Sequence, residues 1–208
     1  MKITKVSPQK NNNSRVNVFV DDIYRFSLDG AEAILKGIKE GKEVSSKDIE
    51  NLIMDSEYSK ARDTAFNILS RKSITSASLT DSLIRKGYDS VVAYEVIGEL
   101  TELGYIDDES YGIMFLEYCH EKMWGKKKIR YEMKQKGLSD DIIENILQSH
   151  NEDDYLADMA DLIISKYSAC DLGDMKTKAK ITRFFASRGF DFSKIDSAIN
   201  LAKEISGE

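Results

Sequence analysis

Few residues of this chain are of a type that could carry out metal or nucleotide chemistry. The two histidines, His120 and His150, have no second ligand at a metal-binding spacing, and Cys119 would point to a different side of a helix from His120. We therefore predict no metal site. The sequence also contains no glycine-rich phosphate loop, so we expect no bound cofactor.

Paired carboxylates, which could act in acid–base catalysis, occur at Asp107-Asp108 and Asp153-Asp154. Both pairs lie where helices are expected to begin, and acidic side chains at that position stabilise the N-terminal end of the helix dipole. We interpret both pairs as structural and predict that the protein is not an enzyme.

Basic residues are concentrated in two short segments, although the formal net charge is −6. On a helix over 126–135, a rotation of about 100° per residue places Lys127, Arg130 and Lys134 on the face opposite Ile129 and Met133. A second helix gathers its basic residues in the same way, away from an apolar stripe. The candidate contact residues for phosphates or acidic patches are Lys126, Lys127, Lys128, Arg130, Lys134, Lys176, Lys180 and Arg183. Ordinary solvated helix faces are the alternative, since 32% of the residues are charged.

Composition indicates a soluble, mostly helical protein. The hydrophobic content is 41%, and no run approaches the roughly 20 apolar residues of a membrane-spanning helix. The single proline, Pro8, leaves almost nothing to interrupt helices later in the chain. The first residues lead into no signal-peptide core, so we expect a cytoplasmic location and no membrane partner. Cys119 and Cys170 are the only cysteines, and we expect both thiols to be reduced.

The N-terminal segment has the pattern of a small β-structure. Val16, Val18 and Val20 occupy alternate positions, Asp21-Asp22 can form a two-residue turn, and alternation resumes at Tyr24. The sequence predicts a hairpin here, with residues 3–6 as a candidate third strand. Helical segments are expected near residues 31–36 and 46–58.

From about residue 60 onward the chain repeats itself. Two apolar residues four apart precede a basic residue and a glycine, and then come a large apolar residue and a capping residue. The motif ends in Lys86-Gly87-Tyr88-Asp89, Lys136-Gly137-Leu138-Ser139 and Arg188-Gly189-Phe190-Asp191. Each glycine can end a helix in the left-handed conformation, and each final residue can cap the next helix.

These repeats define the predicted fold class and its boundaries. We predict an all-α protein, an elongated curved array of three tandem three-helix repeats with a small N-terminal β-hairpin and helical extension. The expected segments are the extension over 1–59, the first repeat over 60–108, the second over 109–150 and the third over 151–208.

The repeat region resembles a known family. Leu103-Gly104-Tyr105-Ile106-Asp107-Asp108, followed by Tyr111 and Phe115, resembles the signature that closes the first repeat of RecX proteins. Gly125-Lys126, with Ile129, Glu132, Met133 and Lys136-Gly137 after it, is similar to the second-repeat pattern of that family. The third repeat has diverged furthest from the pattern.

The resemblance implies negative regulation of the RecA recombinase. A member of this family is expected to lie in the helical groove of the RecA filament and to inhibit its ATPase, strand-exchange and coprotease activities. The expected partner is therefore the RecA filament. Direct contact with single- or double-stranded DNA is left open. We expect the protein to be a monomer. A helical DNA-binding protein of transcriptional type and a helical scaffold remain alternatives, although the Lys-rich helices suit phosphate contact better than base readout.

Overall fold

A three-stranded antiparallel sheet begins the chain in the computed structural model, which describes residues 1–10, 12–148, 155–168 and 170–207. Its strands are β1 (Ile3–Pro8), β2 (Arg15–Val20) and β3 (Ile23–Asp29), in the order β1-β2-β3. Asp21 and Asp22, between β2 and β3, have φ angles of 50° and 64°. Positive φ at both central residues is typical of the type I′ turn that suits the twist of a hairpin. The predicted hairpin and the third strand are both confirmed.

The rest of the described chain is helical. Its helices are α1 (Gly30–Leu35), α2 (Ser46–Leu69), α3 (Ser76–Arg85), α4 (Ser90–Glu102), α5 (Asp108–Glu121), α6 (Lys126–Gln135), α7 (Asp140–Gln148), α8 (Leu156–Tyr167), α9 (Met175–Ala186) and α10 (Phe192–Ser206). After α1, they fall into three sets of three, α2–α4, α5–α7 and α8–α10. The mostly helical fold, with a small N-terminal β extension and three-helix repeats, agrees with the prediction.

Helix α2 is longer than the sequence pattern suggested. We expected a helical segment over 46–58 and the first repeat to begin at residue 60, but a single helix of 24 residues runs across this boundary. The physical reason is that neither proline nor glycine occurs between Ser46 and Leu69, so no residue favours a break. The predicted boundary at 59/60 falls within this helix. The partition into four segments stays a prediction.

The chain divides into two compact units, residues 1–73 with 79–106, and residues 74–78 with 107–208. In the first unit the sheet packs on α2 through a buried arginine. The Arg15 guanidinium donates to the Ser27 carbonyl at 3.0 Å, the Ser59 hydroxyl at 3.1 Å and the Asp63 carboxylate at 2.9 Å. A buried charge is tolerated when hydrogen bonds and a counter-ion replace its water, so these bonds fix the sheet on the helix.

The second unit has two apolar clusters that match its two helix triplets. One cluster is formed by α5, α6 and α7 and includes Cys119, Ile129 and Met133. The other, formed mainly by α8, α9 and α10, includes Ile181 and Phe185. All five side chains are fully buried. The predicted apolar stripes of α6 and α9 therefore face the core, which leaves the opposite faces of both helices at the surface.

The repeat glycines end helices as predicted. Gly87, Gly137 and Gly189 have φ angles of 94°, 80° and 88°, the left-handed region that glycine adopts without a steric penalty. The Asp89 carboxylate then accepts from the Val91 N–H at 2.8 Å and caps α4. Asp191 begins α10 without a side-chain capping bond.

Two of these glycine turns are in close contact with the start of another helix within the second unit. The Gly125 N–H, at the beginning of α6, donates to the Arg188 carbonyl at 2.8 Å, and a Cβ placed on Gly125 would lie 2.7 Å from the Gly189 backbone. A Cβ on Gly137 would lie 2.5 Å from the Cβ of Ala77, at the start of α3. Glycine is needed at these contacts for space as well as for conformation.

Candidate functional site

Helix α6 has the bounds that the sequence predicted and carries five of the eight candidate residues. Its buried stripe is Ile129 and Met133, and Lys127, Arg130 and Lys134 lie outside the core. Lys126 is half-buried at the first position of the helix, and Lys128 is half-buried two positions later.

The three basic side chains on the predicted face of α6 are ion-paired within the protein. Each has a carboxylate partner: Lys127 with Asp191, Arg130 with Glu144, and Lys134 with Asp140. Arg130 makes a bidentate contact, its second bond 3.2 Å long. These pairs are partly exposed, so each contributes little to stability, but each brings a negative charge to the face. The face is consequently less positive than its sequence suggests.

Helix α9 carries the remaining candidates, and these are not ion-paired as the basic residues of α6 are. Lys176, Lys180 and Arg183 are exposed and, at spacings of four and three residues, share one face of the helix. None of the three forms a salt bridge with the part of the chain that the structure describes; Arg183 donates only to the Ala179 carbonyl, at 3.3 Å. Lys178, on another side of α9, is paired with Asp196 at 3.0 Å. We call Lys176, Lys180 and Arg183 the α9 basic face.

Helix α3, the counterpart of α6 and α9 in the predicted first repeat, has no basic face of this kind. The corresponding helix, α3, begins with serines that bond within the protein. The Ser76 N–H donates to the Asp108 carboxylate at 2.7 Å, and the Ser78 hydroxyl donates to the Lys136 carbonyl at 3.0 Å. Asp108 therefore caps a neighbouring helix, in agreement with a structural interpretation of that carboxylate pair.

A second feature of the surface was not predicted. Tyr111, Phe115, Tyr118 and Trp124 form a continuous row of rings, which we call the aromatic ladder. The first three are nearly parallel, with centroid separations of 6.3 and 5.9 Å and interplanar angles of 11° and 25°. Trp124 is edge-on to Tyr118 at 6.0 Å. From the sequence, Tyr111 and Phe115 stood out only as part of the family signature. The signal for the ladder was an aromatic residue at positions i, i+4 and i+7 of α5.

The residues that could hold a metal or act as a nucleophile have structural surroundings. His120 packs edge-on against Tyr155 at 5.1 Å, and His150 lies outside the described residues, as does the Asp153-Asp154 pair. Burial raises the pKa of the Cys119 thiol to about 12. Within residues 1–10, 12–148, 155–168 and 170–207, no group of three or more His, Cys, Asp or Glu side chains is arranged to hold a metal ion.

The Asp107 carboxylate is the N-cap of α5. It accepts hydrogen bonds from the Ser110 N–H at 2.9 Å and from the Ser110 hydroxyl at 2.7 Å. These bonds favour the ionised form and lower the pKa of Asp107 below its ordinary value.

The helices of the described residues include none that is both long enough and apolar enough to span a membrane.

Comparison with known proteins identifies the family. Residues 1–45 match the model of the regulatory protein RecX N-terminal domain, and residues 107–147 match that of the RecX second three-helix domain. Similar proteins named "Regulatory protein RecX" include one from Clostridium botulinum strain Eklund 17B, 34% identical over 97% of this chain and 96% of its own length. Another, from Clostridium tetani, is 31% identical over 96% of this chain and 93% of its own length.

Solved structures agree on the fold. A crystal structure of regulatory protein RecX superposes with a TM-score of 0.74 and 20% identity over 98% of both chains. RecX from Lactobacillus salivarius superposes with a TM-score of 0.61 and 24% identity, covering 71% of this chain and 97% of its own. The chain belongs to the RecX family of regulatory proteins.

Proposed function

We propose that this protein is a cytoplasmic, non-enzymatic negative regulator of RecA that binds the RecA–DNA filament and inhibits its ATPase, strand-exchange and coprotease activities. It would thereby restrain recombinational repair and the SOS response. The observation that carries the proposal is the similarity to proteins named "Regulatory protein RecX" over nearly the whole chain.

The α9 basic face is the part of the surface that we propose contacts the filament. Its three cations are exposed and have no carboxylate partner among the described residues, so contact with an anionic partner does not require an existing ion pair to break. A filament of RecA on DNA offers two such anions, the phosphates and acidic side chains. The α6 face contributes less, because Lys127, Arg130 and Lys134 would first have to leave their partners.

Co-sedimentation with RecA filaments tests this assignment. Filaments would be formed on poly(dT) with a slowly hydrolysed ATP analogue and pelleted with increasing amounts of this protein. Reversal of all three charges of the α9 basic face should weaken binding by at least tenfold. The matched control is Lys178→Glu, on the same helix but outside that face, which should bind normally. Normal binding by a folded triple variant would refute the assignment of the face.

A companion measurement of duplex DNA binding at several salt concentrations addresses the alternative of a transcription-type DNA-binding protein. Such a protein needs a recognition helix whose side chains reach base edges, for which Arg, Asn and Gln are best suited, whereas the basic helices here are rich in lysine. It would bind duplex DNA with steep salt dependence and would show no preference for RecA-coated strands.

A further inference from the structure

The aromatic ladder is accompanied by three lysines whose ammonium groups lie over its rings. Lys136 Nζ is 4.9 Å from the centroid of Phe115, Lys122 Nζ is 5.4 Å from that of Tyr118, and Lys128 Nζ is 4.3 Å from that of Trp124. All three separations are within the range of a cation–π contact. The ladder is therefore a row of aromatic rings in which three of the four rings have an ammonium group over them.

These lysines differ from their neighbours on α6 in having no acidic partner. Lys127, Arg130 and Lys134 are ion-paired, whereas none of the three ladder lysines forms a salt bridge with a described residue. Glu132 lies midway between Lys128 and Lys136 in the sequence, yet both ammonium groups contact rings instead. Their charges therefore remain available to an external anion.

The rings are also accessible. Tyr118 is 45% exposed, and Tyr111, Phe115 and Trp124 are half-buried, with one side of each packed against the apolar cluster of α5–α7. Half-burial fixes a ring in place and leaves part of its surface to solvent. An anchored aromatic side chain loses little conformational entropy when a ligand stacks on it.

We propose that the aromatic ladder with Lys122, Lys128 and Lys136 is a binding site for single-stranded DNA. Bases would stack on the exposed rings, and the ammonium groups would turn from the rings to the phosphates. Proteins that bind single strands without sequence preference combine these two elements, a positively charged track and a series of aromatic side chains. This site lies outside the candidate contact residues of α9 and is independent of any contact with RecA.

The chemistry of the ladder favours a single strand over the other anionic partners. Duplex DNA keeps its base faces stacked inside the helix and offers only edges and phosphates, so it could engage the lysines but not the rings. An acidic peptide would likewise pair with the lysines but has no planar bases for the rings.

Intrinsic fluorescence gives a local test, because Trp124 is the only tryptophan of the chain. The full-length protein would be titrated with a 15-nucleotide oligothymidylate in the absence of RecA. We expect saturable quenching of Trp124, with log affinity falling linearly against log salt concentration. Three phosphate contacts predict a slope of about −2, since each contributes roughly 0.7 on single strands.

Two variants with matched controls separate stacking from charge. Tyr118→Ala should weaken binding roughly 5- to 150-fold, the effect of losing one stacked base, while Tyr131→Ala, which removes another exposed tyrosine outside the ladder, should not. Lys128→Gln with Lys136→Gln should lower the salt slope by about 1.4. Lys39→Gln with Lys47→Gln makes the same change in net charge in the first unit and should leave the slope unchanged.

Three outcomes would overturn the proposal: no quenching, quenching equal to that caused by duplex DNA or polyglutamate, or oligonucleotide binding insensitive to Tyr118→Ala. Each leaves the RecA proposal intact, because filament co-sedimentation is measured separately. Conversely, binding of oligothymidylate through the ladder without co-sedimentation with RecA filaments would refute only the filament proposal.

Discussion

The contact between Gly137 and Ala77 provides a quantitative test of how the second unit is built. Gly137→Ala would place a methyl group 2.5 Å from the Ala77 Cβ, while the next nearest atom, the Ala77 Cα, is 3.8 Å away. Steric conflict at Gly137 is thus confined to a single methyl group. Removing that group with Ala77→Gly should relieve it.

The expected free energies separate into two terms. An alanine at a φ of 80° costs about 1–2 kcal/mol in any surroundings. The conflict with Ala77 adds about 1–3 kcal/mol, the usual cost of overpacking. Gly137→Ala should therefore destabilise the second unit by about 2–5 kcal/mol. Ala77→Gly alone should cost about 0.5–1 kcal/mol because glycine is a poor helix former. In the double variant the overpacking term disappears, which predicts a favourable coupling of about 1–3 kcal/mol.

Urea unfolding followed by Trp124 fluorescence measures these changes, because the only tryptophan belongs to the second unit. The control is Gly87→Ala, at a φ of 94° with no atom within 4 Å of the added Cβ. Followed by circular dichroism, it should show only the conformational cost and no coupling to Ala77→Gly. If the Gly137 and Ala77 effects add to within about 0.5 kcal/mol, the contact is not as described and the reasoning fails.

Three further predictions concern single sites. Cys119 is buried with a pKa raised to about 12, whereas Cys170 is exposed. A disulfide reagent at pH 8 should therefore modify only Cys170 in the native protein and both thiols in denaturant. Rapid reaction of both thiols in the native protein would contradict the burial of Cys119. The lowered pKa of Asp107 means that its capping contribution is present above its unfolded pKa, ordinarily 3.8, and is lost as the pH falls through its folded value. Asp107→Asn should therefore reduce the loss of stability on acidification below about pH 5, as measured by urea unfolding at several pH values; an unchanged acid dependence would refute this. Gly98→Ala adds a Cβ in open space within α4 and should raise the free energy of unfolding by about 0.5–1 kcal/mol. Gly125→Ala should lower the free energy of unfolding, because its Cβ would lie 2.7 Å from backbone atoms. The opposite order of stability in thermal melts would argue against the helix contact at Gly125.

Local features of the fold were predictable because local residues determine them. The glycine at each helix end and the turn at Asp21-Asp22 depend on the conformational preferences of one or two residues. The apolar positions that follow the repeat glycines by six and ten residues are also buried, as Ala93, Ile143 and Ile195 and as Ile97, Leu147 and Ile199. The continuity of α2 could not be predicted from the repeat pattern, because the repeat begins near residue 60 and no helix-breaking residue marks that position.

The charge of the basic helix faces was harder to predict than the side of each helix on which the basic residues lie. The sequence correctly grouped the basic residues of α6 on a surface face, but their carboxylate partners come from elsewhere in the fold. Glu144 is on α7, and Asp191 belongs to the following repeat, 64 residues from Lys127. Only tertiary structure brings such partners together, so composition overestimated the positive charge on α6. The α9 face kept its charge because no carboxylate of the described residues reaches it.

Hydrolysis of ATP by the cognate RecA on single-stranded DNA tests the central claim most directly. This protein would be titrated into the reaction at ratios below one per RecA protomer, with a salt concentration that holds DNA binding by RecA constant. Negative regulation predicts a progressive fall in hydrolysis that is complete at substoichiometric ratios if filament growth is blocked. An unchanged rate at every ratio, with a protein shown to be folded by circular dichroism, would contradict the account.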